Sequence, residues 1–213
     1  MQEIIQIGQD ISALIDRLIR LEKPGARLMV GITGAPGAGK STLSQKLAAA
    51  FGSDTAVVVP MDGFHLASAV LSRPEQIQRR GAIDTFDIDG YLHLLRRLRS
   101  RKEAITYAPG FDRGIEEPIA GLIPVPREIP IIITEGNYLL SPEPGWREIR
   151  TLLDERWFLD VPDTQRVQRL AARHAQYGKT VEAAREMAEG SDENNARRIA
   201  PSRSAAELVI RQD

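Results

Sequence analysis

The sequence contains no cysteine. That absence excludes disulfides, thiolate zinc sites and a cysteine nucleophile together. An excess of charge of one sign is missing as well: 28 Lys and Arg stand against 29 Asp and Glu, for a formal net charge of -1. A nonspecific nucleic-acid binder needs a stronger positive field, so a small-molecule partner is expected and nucleic acid is not. No apolar run approaches the roughly 20 residues of a membrane span. The N-terminal MQEIIQIGQD is acidic and lacks a basic start followed by an apolar stretch. A soluble cytoplasmic protein without a membrane partner is the expectation. Linkers rich in Ser, Gly or Pro, repeats and low-complexity tracts are also lacking, so residues 1–213 are expected to form one domain.

What is present is concentrated at residues 27–47, RLMVGITGAPGAGKSTLSQKL. Leu28, Met29, Val30 and Ile32 give a strand pattern, and Leu43 and Leu47 belong to a following helix. The turn between them reads Gly34-x-x-x-x-Gly39-Lys40-Ser41, the phosphate-binding loop. Gly34, Gly37 and Gly39 leave the backbone free to curl its N–H groups inward, and the helix starting at Lys40 aims its positive end at the same hollow. Gly34, Ala35, Pro36, Gly37, Ala38, Gly39, Lys40, Ser41 and Thr42 are the expected nucleotide contacts. Lys40 would reach the outer phosphates, and the Ser41 hydroxyl would take one position on Mg²⁺.

Residues 3–22 carry Ile4, Ile7, Ile11, Leu14, Ile15, Leu18 and Ile19 near helical spacing and predict an N-terminal amphipathic helix within 1–24. After the loop helix, the β-branched run 55–59 predicts a strand parallel to the first, which makes the chain α/β. Asp62 and His65 follow that strand, where ligands of open α/β sheets collect. Asp62 reads either as an Asp-Gly turn or as a carboxylate that accepts the proton of an attacking hydroxyl or holds Mg²⁺ through water. His65 is a substrate contact or a surface histidine. Residues 73–87 read as irregular, with Asp87 capping a helix 88–99 whose basic end, Arg96 to Lys102, reads as a solvated face. Two short strands, 104–108 and 119–125, predict a small hairpin insertion at about 103–126 carrying Asp112 and Arg113 on its loop.

The apolar run 129–134 predicts a buried central strand ending in Glu135, a position suited to ordering a Mg²⁺ shell, with a plain strand-ending turn as the alternative. A short helix at 146–153 and a strand at 156–161 follow. Arg166, Arg169 and Arg173 then recur at helical spacing in the region 163–190, as a phosphate clamp or as a solvated face. Thr180 and Asp192 read as caps of further helices, and 206–210 as a last strand.

With these pieces placed, the chain from Arg27 onward resembles the phosphate-loop kinases that include uridine kinase, phosphoribulokinase and bacterial pantothenate kinases. GAPGAGKS, MDGFH, RRGAIDTFD, the PGFDR loop, TEGNYLL and RVQRLAARH occur in that family's order. The resemblance implies a three-layer α/β/α phosphate-loop fold with a mainly parallel central sheet, a hairpin insertion and a helical lid. It implies Asp62 as the group that activates the acceptor hydroxyl, Glu135 as assistant to magnesium, and Arg169 and Arg173 as lid arginines closing over ATP. Gly81 falls where uridine kinases carry a ribose-holding Asp, and Glu116 falls nearest their base-reading His, so uridine is disfavoured. DENNARRI and the final AELVI bring the chain nearest to bacterial uridine-kinase-like proteins labelled fructose transport system kinases.

The expectation is an ATP- and Mg²⁺-dependent kinase acting on a hydroxyl of a small metabolite, first of all a sugar such as fructose. Asp62, Lys40, Arg169 and Arg173 would be catalytic, and Ser41, Glu135 and Asp62 would serve the metal. His65, Arg79, Asp112, Arg113 and Tyr138 are the candidates for acceptor contacts. A nucleoside or pantothenate-like kinase is the alternative, and a non-catalytic ATP-binding regulator is the alternative of another class. A homodimer is open to it.

Overall fold

The structure, a computed structural model, describes residues 2–71, 73–178 and 180–212. In chain order the elements begin with β1 (Glu3–Ile7), α1 (Ser12–Leu21), β2 (Leu28–Gly34), α2 (Lys40–Phe51) and β3 (Ala56–Pro60). There follow α3 (Pro74–Gln78), α4 (Ile88–Ser100), β4 (Ile105–Asp112), β5 (Glu117–Pro126), β6 (Ile131–Glu135) and β7 (Glu155–Asp160). The chain ends in α5 (Asp163–Gln176), α6 (Val181–Glu189), α7 (Ser191–Ile199) and β8 (Leu208–Gln212).

Six strands form one sheet in the order β1-β8-β7-β2-β6-β3, each neighbouring pair parallel. The two central strands, β2 and β6, are mostly apolar, with Thr33, Thr134 and Glu135 towards their carboxyl ends, and are buried at every position, as strands covered on both faces are. On one face Leu14 and Leu18 of α1 and Leu43 and Leu47 of α2 pack with Val30, Ile32, Ile133 and Trp157. On the other, Tyr91, Leu95 and Leu98 of α4 pack with Met29, Ile132 and Phe158. The result is the α/β/α layering, with helices joining parallel strands. From β2 the chain runs out to β3 on one side and later supplies β7 on the other. The carboxyl end of β2 therefore opens at a switch point, where such sheets hold ligands.

The N-terminal segment differs from the helix expected over 3–22. Residues 3–7 pair in parallel with β8, from Glu3 opposite Leu208 to Ile7 opposite Gln212, and only residues 12–21 are helical. Ile4 and Ile7 fit helical spacing by coincidence, whereas Gly8 interrupts the run and the tertiary partner lies at the far end of the chain. The hairpin strands also run further than expected. β4 takes in Pro109 to Asp112 past a register shift between Ala108 and Gly110, which leaves a turn of only four residues, 113–116. Asp87 and Thr180 cap α4 and α6 through Gly90 N and Ala183 N, while Asp192 lies in the first turn of α7 rather than at its cap. In the basic end of α4, Arg96, Arg97 and Arg99 pair with Glu148, Glu103 and Asp154.

Arg27 joins the layers below the site. Its buried guanidinium donates to the carbonyls of Ile129, Leu98, Pro126 and Arg127 at 2.8–3.0 Å, tying the start of β2 to the ends of α4 and β5. Burial pulls its pKa down to about 10, with Arg101 adding to the effect, so the carbonyls must repay that desolvation. Arg27→Met is expected to lower unfolding stability by roughly 2–4 kcal/mol, read as a shift of the urea midpoint. A loss below about 0.5 kcal/mol would show these bonds to be dispensable.

Candidate active site

The turn after β2 is shaped by what packs on it. A Cβ at Gly37, where φ is +79°, would meet the Arg166 carbonyl at 2.3 Å and Leu170 Cγ at 2.8 Å. Only glycine lets α5 lie directly against the loop. Gly39, in the left-handed region at φ +95°, then turns the chain into α2. Lys40 at the start of that helix is buried, and its ammonium donates to Gly34 O at 2.9 Å, Ala35 O at 3.1 Å and Asn137 Oδ1 at 2.7 Å. All three of its protons are thereby used. Asn137 is itself fixed through its carbonyl, which accepts from Thr33 Oγ1 at 2.8 Å.

Ser41 Oγ donates to Glu135 Oε1 at 2.8 Å, so hydroxyl and carboxylate meet across the tips of β2 and β6. Asp62 lies on the single 3-10 turn Met61–Phe64 that follows β3. Glycine is again required there, because a Cβ at Gly63 would meet the Pro109 carbonyl at 2.4 Å. That close approach brings the hairpin over the strand ends and sets Arg113 against Asp62, with Nη2 to Oδ2 at 3.0 Å. The His65 ring lies between Phe86 and Phe111, with centroids at 4.2 and 4.7 Å, and its Nδ1 is 2.7 Å from the Asp62 carbonyl. An Nδ1–H donating there would leave Nε2 free.

One cleft of about 630 Å³ gathers Pro36, Gly37, Lys40, Ser41, Asp62, His65, Arg113, Glu135 and Arg173. Its size is within the usual range for small-molecule sites. The three arginines of α5 separate in role. Arg166 is buried and paired with Asp163 and Glu193, so it fastens α5 to α7. Arg169 reaches the loop at Ala38 O, 3.3 Å away, and Arg173 faces the cleft. His174 joins Asp192 at 2.9 Å and closes the same helical layer.

Three expected acceptor contacts lie elsewhere. Arg79 forms an exposed ion pair with Asp84 at 2.7 Å. Asp112 accepts from Gly114 N at 2.7 Å and so caps the hairpin turn. Tyr138 is buried in an aromatic cluster with Phe86 and Trp146 and donates to Gly81 O at 2.8 Å. The cleft is lined instead by Arg80, next to Arg79, and by Asn137, two residues beyond Glu135. The paired arginines and the TEGN segment were signals for both, although neither spacing says which side chain turns inward. A second cavity of about 170 Å³, between Ala35, Ala38, Asp160 and Arg166, receives none of Lys40, Asp62 or Glu135.

The charges are strongly coupled. Burial pulls the Lys40 ammonium down to about 8, against the pull of Glu135 and Asp62. For Asp62 burial acts upward, but the surrounding cations outweigh it and hold the carboxyl below its usual range. His65 contributes to that only when charged, and burial lowers its own pKa, so near neutrality Arg113, Lys40 and Arg173 do the holding. Glu135 is pushed upward by burial and by Asp62, with Lys40 and the Ser41 hydroxyl opposing. Arg173 is pulled down by burial and by Arg113. Two carboxylates thus sit at the strand tips with opposite shifts, one kept ionised by cations and one short of a cation.

Residues 29–212 match the model of the phosphoribulokinase / uridine kinase family. The chain belongs to that family. A Schizosaccharomyces pombe protein named "Putative uridine kinase C227.14" is 36% identical over 209 residues, covering 93% of this chain and 89% of its own. A crystal structure of a "putative fructose transport system kinase" from Silicibacter sp. TM1040 superposes with a TM-score of 0.85 at 39% identity, over 95% of this chain and 99% of that one. YFH7 from Saccharomyces cerevisiae, a "putative P-loop containing kinase", shares the fold at a TM-score of 0.79 and 19% identity, over 96% and 99% of the two chains. The protein is accordingly a phosphate-loop small-molecule kinase, a phosphotransferase with an alcohol as acceptor. Membership of the family implies ATP binding. Among the described residues no helix is long and apolar enough to cross a membrane.

The buried lysine makes a measurable prediction. Folded, Lys40 releases its proton near pH 8, whereas unfolded it does so near 10.5. The unfolded chain therefore holds more protons between those values, and stability of the free protein rises with pH across that window, by up to about 3 kcal/mol. Lys40→Met should abolish this rise, measured by urea unfolding from pH 7 to 11. Parallel pH profiles for the two proteins would contradict it.

Proposed function

We propose that this chain transfers the γ-phosphoryl group of ATP to a hydroxyl of a small metabolite, with a sugar such as fructose as the first acceptor to test. The observation that carries the reading is the convergence of Lys40, Asp62, the Ser41–Glu135 pair and Arg173 on one cleft at the carboxyl ends of β2, β3 and β6. Lys40 and the loop amides hold the phosphates. Asp62 orients the acceptor hydroxyl and takes its proton as that oxygen bonds to the γ-phosphorus and the bond to the departing ADP oxygen breaks. A loose phosphoryl-transfer transition state asks mainly for positioning and charge neutralisation, which suits a carboxylate kept ionised by its neighbours. Arg169 and Arg173 neutralise charge on the phosphates, and α5 to α7 act as a lid over them.

The residues also fit Mg²⁺. Ser41 and Glu135 are hard oxygen donors side by side, and Glu135 is a buried carboxylate short of a cation. Among the described residues no group of three or more His, Asp or Glu side chains forms a metal cage, so an ion held by Ser41 and Glu135 would take its other ligands from water and phosphate. When bound, the ion would neutralise the phosphates that these residues orient. The cytoplasm, which supplies ATP, is the compartment the reading implies.

ADP release with Mg·ATP is to be measured against sugars, nucleosides and pantothenate; the name carried by the Schizosaccharomyces relative places uridine in that panel. With the active acceptor, Asp62→Asn should lower kcat by roughly 10²- to 10⁴-fold while calorimetric affinity for Mg·ATP changes little. Unchanged turnover in Asp62→Asn would remove the proposed base.

A further inference from the structure

We propose that the acceptor itself carries an anionic group, a carboxylate or a phosphate monoester, and that this group draws Arg113 away from Asp62 and so frees the base. The inference rests on the phosphotransfer reading above and narrows its acceptor. Its starting point is that the carboxylate best placed to take a proton is already engaged, by Arg113 Nη2 at 3.0 Å. Both partners are partly shielded, with the Asp62 side chain 26% and the Arg113 side chain 37% exposed. Separating such a pair strands two charges unless each finds a replacement.

The incoming hydroxyl replaces Arg113 at Asp62, but a neutral acceptor offers Arg113 nothing in return. Among the described residues Arg113 makes no ion pair besides the one with Asp62. Its guanidinium lies over the Phe111 ring at 5.9 Å, and the neighbouring cation on that wall is Arg80. Arg80 is committed to neutral oxygens, donating to the Glu116 carbonyl and to Ser68 Oγ, and its buried Nε has no hydrogen-bond partner among the described residues. Its nearest carboxylate, Glu117, is 3.8 Å away and receives the Ser68 amide. Glu116 also lines the cleft, with an exposed side chain on the hairpin turn.

Lys40, Arg169 and Arg173 answer the charge of ATP, which leaves two guanidinium groups on the hairpin side for the acceptor. A recognition surface for a neutral polyol would present amide and carboxylate forks to its hydroxyls. Apart from Glu116 at the hairpin turn, this wall presents cations and aromatic rings, the chemistry that takes a carboxylate or phosphate in bidentate fashion.

The test uses the full chain and polyols of three to six carbons, each compared with its aldonate and its phosphate monoester. Binding is read by calorimetry with Mg·AMP-PNP present, and turnover by ADP release with Mg·ATP. At least one acid or phosphate is expected to bind roughly 30- to 100-fold more tightly than its neutral parent. Arg113→Gln should bring that ratio close to one, and Arg113→Lys should keep part of it. The acid and phosphate arms tell the two kinds of anion apart. If no anionic member binds more tightly than its parent, or if the preference survives in Arg113→Gln, the inference is overturned. ADP release favouring the neutral parents would overturn it while leaving the kinase reading in place. Selective anion binding with no ADP release from any member would support the anion site and defeat the phosphotransfer reading instead.

Discussion

A lysine ammonium held almost out of water at the tip of β2 is the constraint on which the rest depends. Its desolvation is answered by two loop carbonyls and Asn137, and by the nearby Glu135 and Asp62 carboxylates. Each partner has to be held in place by its own element. The loop carbonyls need the glycines that let α5 press on the turn, and Asn137 needs the Thr33 bond. The carboxylates need β3 and β6 to end together beside β2, which the parallel register of Pro60 opposite Glu135, and of Glu135 opposite Ile32 two residues before the end of β2, provides. A site assembled this way carries more unsatisfied electrostatics than a stable core would, and that free energy becomes available when a polyphosphate arrives.

The two carboxylates divide that field between them. Glu135, hydrogen-bonded by Ser41 and pushed up by burial, is the one that gains from a cation. Asp62, ringed by Arg113, Lys40 and Arg173, is the one that stays ionised. Environments that push neighbouring acids apart are how a single cleft separates a metal-side role from a proton-accepting one. The hairpin contributes the remaining variable, since the approach of Pro109 to Gly63 is what carries Arg113 to Asp62. In the proposed mechanism, acceptor choice and readiness of the base would share one contact.

Much of this was legible in the residues alone. Strand, glycine turn and helix at 28–51 announce themselves because the motif is local, and Asp62 and Glu135 could be placed because each directly follows an apolar β run. What escaped depends on distant partners or on side-chain direction. Residues 3–7 satisfy helical spacing, yet their strand pairing is with residues 208–212. Arg79 and Arg80 are neighbours of one kind, and only the packing of the irregular segment against the hairpin turns Arg80 inward and leaves Arg79 with Asp84. Tyr138 belongs to a suggestive motif, but its ring is consumed by Phe86 and Trp146. Arg166 shares a helical face with Arg169 and Arg173 and is nonetheless spent on Asp163 and Glu193.

The central claim is direct transfer from ATP to an acceptor oxygen whose proton goes to Asp62, with no covalent phosphoenzyme on Asp62 or His65. The stereochemical course at the γ-phosphorus, followed with ATP made chiral there by oxygen isotopes, tests it most directly. A single in-line transfer predicts inversion of configuration. Retention would mean two successive transfers through a protein side chain and would contradict the account.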